Sequence, residues 1–184
     1  MIEEMVEIVR TANYFNVPVN IAESYIDSLV AHIRYVQEAG EKLGVMKVLL
    51  IEHDRSKFSM TEFLGYATHF KGGGNPNGFA QAWLHHLHYN PHHWNHWIYP
   101  DEFHVKGSDM EANVLPMPQM YALEMIADWQ GANRAYIGSW DMTDWLAKNW
   151  RRIRLHSKTR DYAREVLDGL GYADIVNVGG GIEK

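Results

Sequence analysis

Apolar side chains recur along most of this chain at intervals of three and four residues, and sustained alternation of apolar and polar positions is almost absent. That pattern predicts helices. The first clear start is Asn20 followed by Glu23, a capping box opening NIAESYIDSLVAHIRYVQEAGEKLG, in which Ile21, Tyr25, Ser28, Leu29, His32, Ile33 and Val36 share one face and Gly40 and Gly44 mark the end. Residues 46–55 form a second helix, although VMKVLLI also fits a buried strand. Ser59 with Glu62 is another capping box, for a short helix to about residue 70, and KGGGNPNG then reads as a loop. Helix resumes near Phe79 and stops at Asn90-Pro91. After an irregular stretch over residues 99–118, PQMYALEMIADWQGANRAY is strongly helical, with Pro118 in its first turn. Helices near 143–150 and 158–170 lead to a tail, loosely ordered from about residue 174. The expectation is an all-α, single-domain bundle over residues 1–184, with no repeat and no domain boundary.

Composition narrows this picture. A chain of 184 residues with 46% hydrophobic content suffices for one sizeable core. No apolar run approaches the ~18 residues of a membrane span, and MIEEMVEIVR is acidic and amphipathic, unlike an export signal. A cytoplasmic protein is expected. A formal charge of −6 argues against extended nucleic-acid binding, leaving only a local basic patch at Arg151, Arg152 and Arg154. With no cysteine, any metal is held by imidazole and carboxylate, which suits manganese, iron, magnesium or zinc. Seven tryptophans and ten tyrosines serve either helix packing or a partner surface, and the sequence leaves room for a homo-oligomer.

The candidate chemistry lies in histidines and carboxylates spread over several helices, the way metal sites are built in bundles. Each residue also has a plainer reading. His32 on an apolar face is either a ligand or a hydrogen-bonded core histidine. Asp54, beside His53, is a ligand or caps the next turn. Asp128 in EMIADW is a carboxylate among apolar neighbours and needs a partner, a cation being the most economical. Glu124, one turn earlier, is a general base or part of a solvated face. HHLHYNPHHW holds His85, His86, His88, His92 and His93, five of the eleven histidines. On a helix His85 and His86 diverge by about 100°, so the run cannot aim every ring at one ion. The alternative is an aromatic loop in which histidines pack beside Tyr89, Trp94 and Trp97.

The order His32, His53-Asp54, later histidines and Asp128 resembles the HD-domain superfamily of metal-dependent phosphohydrolases, which are all-helical. Lys57 stands three residues past Asp54 in HDRSK, where many members carry a lysine. The resemblance runs from about residue 25 to 162. HDRSKFSMTEF, AWLHHLHYNPHHW, MPQMYALEMIADW and SKTRDYAREVL also resemble a narrower family of small bacterial and phage proteins that brings no activity with it. The superfamily resemblance implies one or two divalent ions on His32, His53, Asp54 and Asp128. Two-metal members add histidines between the pair and the last aspartate, here His86 and His93, with His85 and His92 as the alternate register. It implies hydrolysis of a small phosphate ester, with a nucleotide as the leading class and Lys57 on the substrate phosphate. Lys57 otherwise reads as an exposed lysine in a turn.

Two other functions fit the same residues. Some HD-fold proteins hold a di-iron centre on such a ligand set and oxidise their substrate with dioxygen, and imidazole-rich ligation suits iron equally. A non-enzymatic binding or structural module would keep a vestigial site or none. The triple glycine in KGGGNPNG lacks a preceding strand and a GK[ST] ending, so it is a connection and not a phosphate loop. That loop and NHWIYPDEF flank the proposed site in sequence, where either could form a lid or substrate wall. Neither a serine triad nor a cysteine nucleophile is arguable.

Overall fold

A computed structural model describes residues 2–99 and 113–177. Among them the architecture is all-α: α1 (Ile2–Tyr14), α2 (Val19–Leu43), α3 (Lys47–Glu52), α4 (Met60–Lys71), α5 (Pro76–Tyr89), α6 (Gln119–Ile137), α7 (Thr143–Asn149), α8 (Ser157–Gly169) and α9 (Ala173–Val176), with 3-10 turns at Arg55–Phe58, Trp94–Trp97 and Trp150–Arg152. The sole β-type contact among the described residues is the pair of backbone bonds from Tyr99 N–H to Asn113 O and from Leu115 N–H to Trp97 O. No described helix is long and apolar enough to cross a membrane.

The chain forms two compact units, each assembled from two separated stretches. The first comprises Met1–Arg34 and Glu52–Asn90. Its core joins Ile8 and Ala12 of α1, Ala22, Tyr25, Ile26 and Leu29 of α2, Phe63, Tyr66 and Ala67 of α4, and Ala82 of α5. Phe63 meets Tyr25 edge-on at 5.2 Å between ring centroids, a favourable aromatic geometry. α4 and α5 pack closely because Gly65 lacks a side chain: a Cβ there would lie 2.4 Å from Gly78 O and 2.7 Å from Ala82 Cβ.

The second unit comprises Tyr35–Ile51 and Pro91–Lys184. Its larger core gathers Met125, Ile126 and Trp129 of α6, Leu146 of α7, Trp150, Ile153 and Leu155 after it, and Ala163 and Leu167 of α8. A smaller core joins Val36, Ala39, Val45, Leu50 and Ala127, where Gly131 admits the backbone of Val36. All seven tryptophans are buried or half-buried, and Trp94, Trp97 and Trp145 pack on the larger core. The tryptophans therefore serve packing, whereas Tyr14, Tyr89 and Tyr136 are exposed.

Several helix ends differ from the sequence expectation for local reasons. α2 starts at Val19, one residue before Asn20, because the carbonyl of Pro18 accepts from the N–H groups of Ile21 and Ala22. It ends as expected at Gly44, which adopts φ 77°. Residues 46–55 include only the short α3, which excludes the strand alternative. The last residues of KGGGNPNG are already helical: Asn75 caps α5 through Gly78 N–H, and Pro76 takes the first position, where a missing N–H costs nothing. The tail beyond residue 174 opens on the turn of α9, and residues 178–184 lie outside the described residues, as do residues 100–112, which contain most of the irregular stretch and the PDEF of NHWIYPDEF.

Candidate metal centre

The first unit's polar residues converge on Asp54. After α3, Asp54 adopts a left-handed backbone (φ 57°, ψ 13°), a conformation that aspartate tolerates better than most side chains. The turn buries both neighbours in the His-Asp pair, and Asp54 itself is 0% exposed. His32, buried on the same face of α2 as Leu29 and Val36, places Nε2 3.0 Å from Asp54 Oδ2. His53 Nε2 is 3.7 Å from that oxygen. From α5, His86 brings Nε2 to 3.2 Å from Oδ1. Lys57 Nζ lies 2.5 Å from Oδ2 and 5.4 Å from the centroid of the Tyr66 ring. Burial disfavours a charged Asp54, yet Lys57, His53 and His86, with the bond to His32, outweigh it and hold the carboxyl well below the usual carboxylate range.

The donor chemistry fits a metal ion. Ligand atoms about 2.1 Å from one ion, at tetrahedral or octahedral angles, lie about 3.0–3.4 Å from each other, which is close to the spacings from Asp54 to His32 and His86. His32, His53 and Asp54 each offer one ligand atom, all mutually within 4.8 Å, and so do Asp54 and His86. Three imidazoles that all present Nε2 to one buried carboxylate supply nitrogen and oxygen donors suited to borderline divalent metals.

Behind His86 stands Glu62 of α4, 0% exposed. Its Oε1 is 2.7 Å from His85 Nδ1, and its Oε2 is 2.8 Å from His86 Nδ1. Ser59 does flank α4, but the expected capping box does not form: Ser59 Oγ donates to Ser56 O, and Glu62 turns inward to the histidines. Burial opposes ionisation of Glu62, but the bonds and charges of His86, His85 and Ser56 lower its pKa from the ordinary value. His86 is correspondingly raised: burial alone would lower it, and the adjacent carboxylates of Asp54 and Glu62 prevail.

The second unit holds its own donors. His92 is buried, with Nδ1 3.2 Å from Glu124 Oε1, and its ring centroid is 4.3 Å from that of half-buried His93. His92 pairs with His93 and with Glu124 at ligand-atom separations within 4.8 Å. Glu124 and Asp128 are buried one turn apart on α6, so the solvated-face alternative for Glu124 does not apply. The histidine cluster thus divides at Pro91. His86 and His92 are the buried members, His85 and His93 are half-buried, and His88 is exposed. Half-buried His96 sits with its ring 5.2 Å from that of Trp97.

Fold and residues together define an all-helical protein whose buried His/Asp groups could hold a metal ion. The chain belongs to the family described as "Family of unknown function (DUF5662)", which matches residues 22–169. No curated protein and no solved structure matches it.

Proposed function

We propose that the protein is an HD-type metal-dependent phosphohydrolase acting on a phosphate ester, with a nucleotide as the leading class. One observation carries this reading: the imidazoles of His32, His53 and His86 and the ammonium of Lys57 all face the carboxylate of Asp54. His32, His53 and Asp54 would hold one divalent ion, Asp54 with His86 would offer donors to another, and in the second unit His92 would offer a donor together with His93 or with Glu124. When bound, such a metal supplies a water of lowered pKa and neutralises charge on a phosphoryl oxygen. Lys57 leaves Asp54 to bind the substrate phosphate as a point charge. Glu124, beside His92, would serve as the general base.

Elemental analysis of protein purified without chelator should find one to two equivalents of a transition metal, and Asp54→Ala should abolish it. A panel of nucleotides with added manganese or iron should release inorganic phosphate, in wild type and not in the variant. A protein that carries no metal and gains no thermal stability from manganese, iron or magnesium refutes the reading. Oxygen consumption by an iron-loaded form, without phosphate release, moves it to the di-iron oxygenase class.

A further inference from the structure

The surroundings of Glu62 contain a proton arrangement that can be solved by counting donors and acceptors. Asn90, the residue that ends α5, places Nδ2 2.9 Å from His86 O and 2.8 Å from Ser56 Oγ. A backbone carbonyl only accepts, so the amide nitrogen and not its oxygen must face His86 O. Both hydrogens of that nitrogen are then used, one on His86 O and one on Ser56 Oγ. Ser56, accepting from Asn90, gives its own hydrogen to Glu62 Oε2 at 3.0 Å.

Nδ1 of His86 is also 2.9 Å from Asn90 Nδ2 and 3.3 Å from Ser56 Oγ, but their hydrogens are already committed. It lies 2.8 Å from Glu62 Oε2 as well. A bare nitrogen lone pair that close to a buried carboxylate would be repelled, so Nδ1 carries a proton and donates it. The ring is thereby fixed with Nε2 on the Asp54 side. Every donor in the chain from Asn90 through Ser56 to Glu62 has an acceptor, as a buried polar network requires.

We propose that Glu62, oriented through Ser56 and Asn90, is a positioning residue that holds His86 as the Nδ1-protonated ring and presents Nε2 for metal binding. This rests on the reading of Asp54 and His86 as metal donors. Carboxylates that orient ligating histidines in this way set tautomer and basicity, and losing one typically costs about 10- to 100-fold in metal affinity. The network also ties the turn after Asp54 to the end of α5, since Ser56 lies two residues past Asp54 and Asn90 one turn past His86.

The test measures zinc affinity by chelator competition, with imidazole nitrogen shifts of His86 read by NMR in metal-free and zinc-loaded protein. Wild type should show Nδ1 protonated in both forms. Glu62→Gln should lose about 10- to 100-fold in zinc affinity, with His86 no longer held as one tautomer and helical circular dichroism unchanged. Should Glu62→Gln not fold, Ser56→Ala reads the same chain with a smaller change, and about a two- to tenfold loss is expected. Unchanged zinc affinity in the variant that folds, or wild-type His86 with a bare Nδ1, overturns the proposal. Wild type that binds no zinc, manganese or iron overturns the metal reading instead, and the proton on Nδ1 of metal-free His86 still decides how Glu62 holds the ring.

Discussion

Lys57 occupies a contact that it must give up to work as proposed. Its ammonium lies 2.5 Å from Asp54 Oδ2 and 5.4 Å from the centroid of the Tyr66 ring. Removing it takes nothing from the donors to a metal and removes one charge-assisted contact to a substrate phosphate, a bond of about 1.5–3 kcal/mol. Lys57→Ala should therefore keep its metal while kcat/KM for phosphate-ester hydrolysis falls by about 10- to 100-fold. Loss of metal along with activity would show that Lys57 supports Asp54 and not the substrate. The sequence displayed this residue through its spacing from Asp54, but it hid Glu62. Ser59 and Glu62 satisfy the local pattern of a capping box, and nothing local distinguishes that from a carboxylate recruited by histidines 23 and 24 positions later. Glu124 was similarly open, since one turn of an amphipathic helix does not reveal that both its carboxylates are buried.

Among the elements, the approach of α4 to α5 controls the site more than either helix's own stability. Gly65 lies one turn past Glu62 on α4, and it faces Gly78 and Ala82, the latter one turn before His86 on α5. Gly65→Ala favours helix formation locally by about 1 kcal/mol. It also drives a methyl group into a backbone oxygen, an overpacking cost of typically about 1–3 kcal/mol. The expected result is a lower Tm despite the better helix former, together with weaker metal binding as Glu62 and His86 separate. A rise in Tm with unchanged affinity would show that the helices accommodate the methyl without moving. The helices themselves were legible because their apolar period is sustained over many residues. Their starts were less so at Val19 and Pro76, where a proline and its neighbours set the first turn and displaced the expected boundaries.

For the molecule as a whole, an ion bound only by the folded state shifts the unfolding equilibrium by mass action. At a free concentration one hundred times Kd the gain is about 2.7 kcal/mol, or roughly 5–10 °C in Tm for a chain of this size. Manganese or iron should raise Tm by that order, a chelator should reverse it, and Asp54→Ala should respond to neither. The all-helical class was visible in the periodicity, and most of the metal-type residues in their order along the chain. The division into two units was not, because no linker or change of composition marks the crossings, and the first falls inside the unbroken α2. That interleaving has a consequence for synthesis on the ribosome. The stretch ending at Arg34 waits for residues 52–90 before its core can close, and residues 35–51 wait for everything after Pro91. A cut after Asn90 leaves every residue of the first unit on one fragment, but that fragment also takes residues 35–51 from the second, so no single cut separates the two units and a fragment from either side of any cut carries at least one core half built.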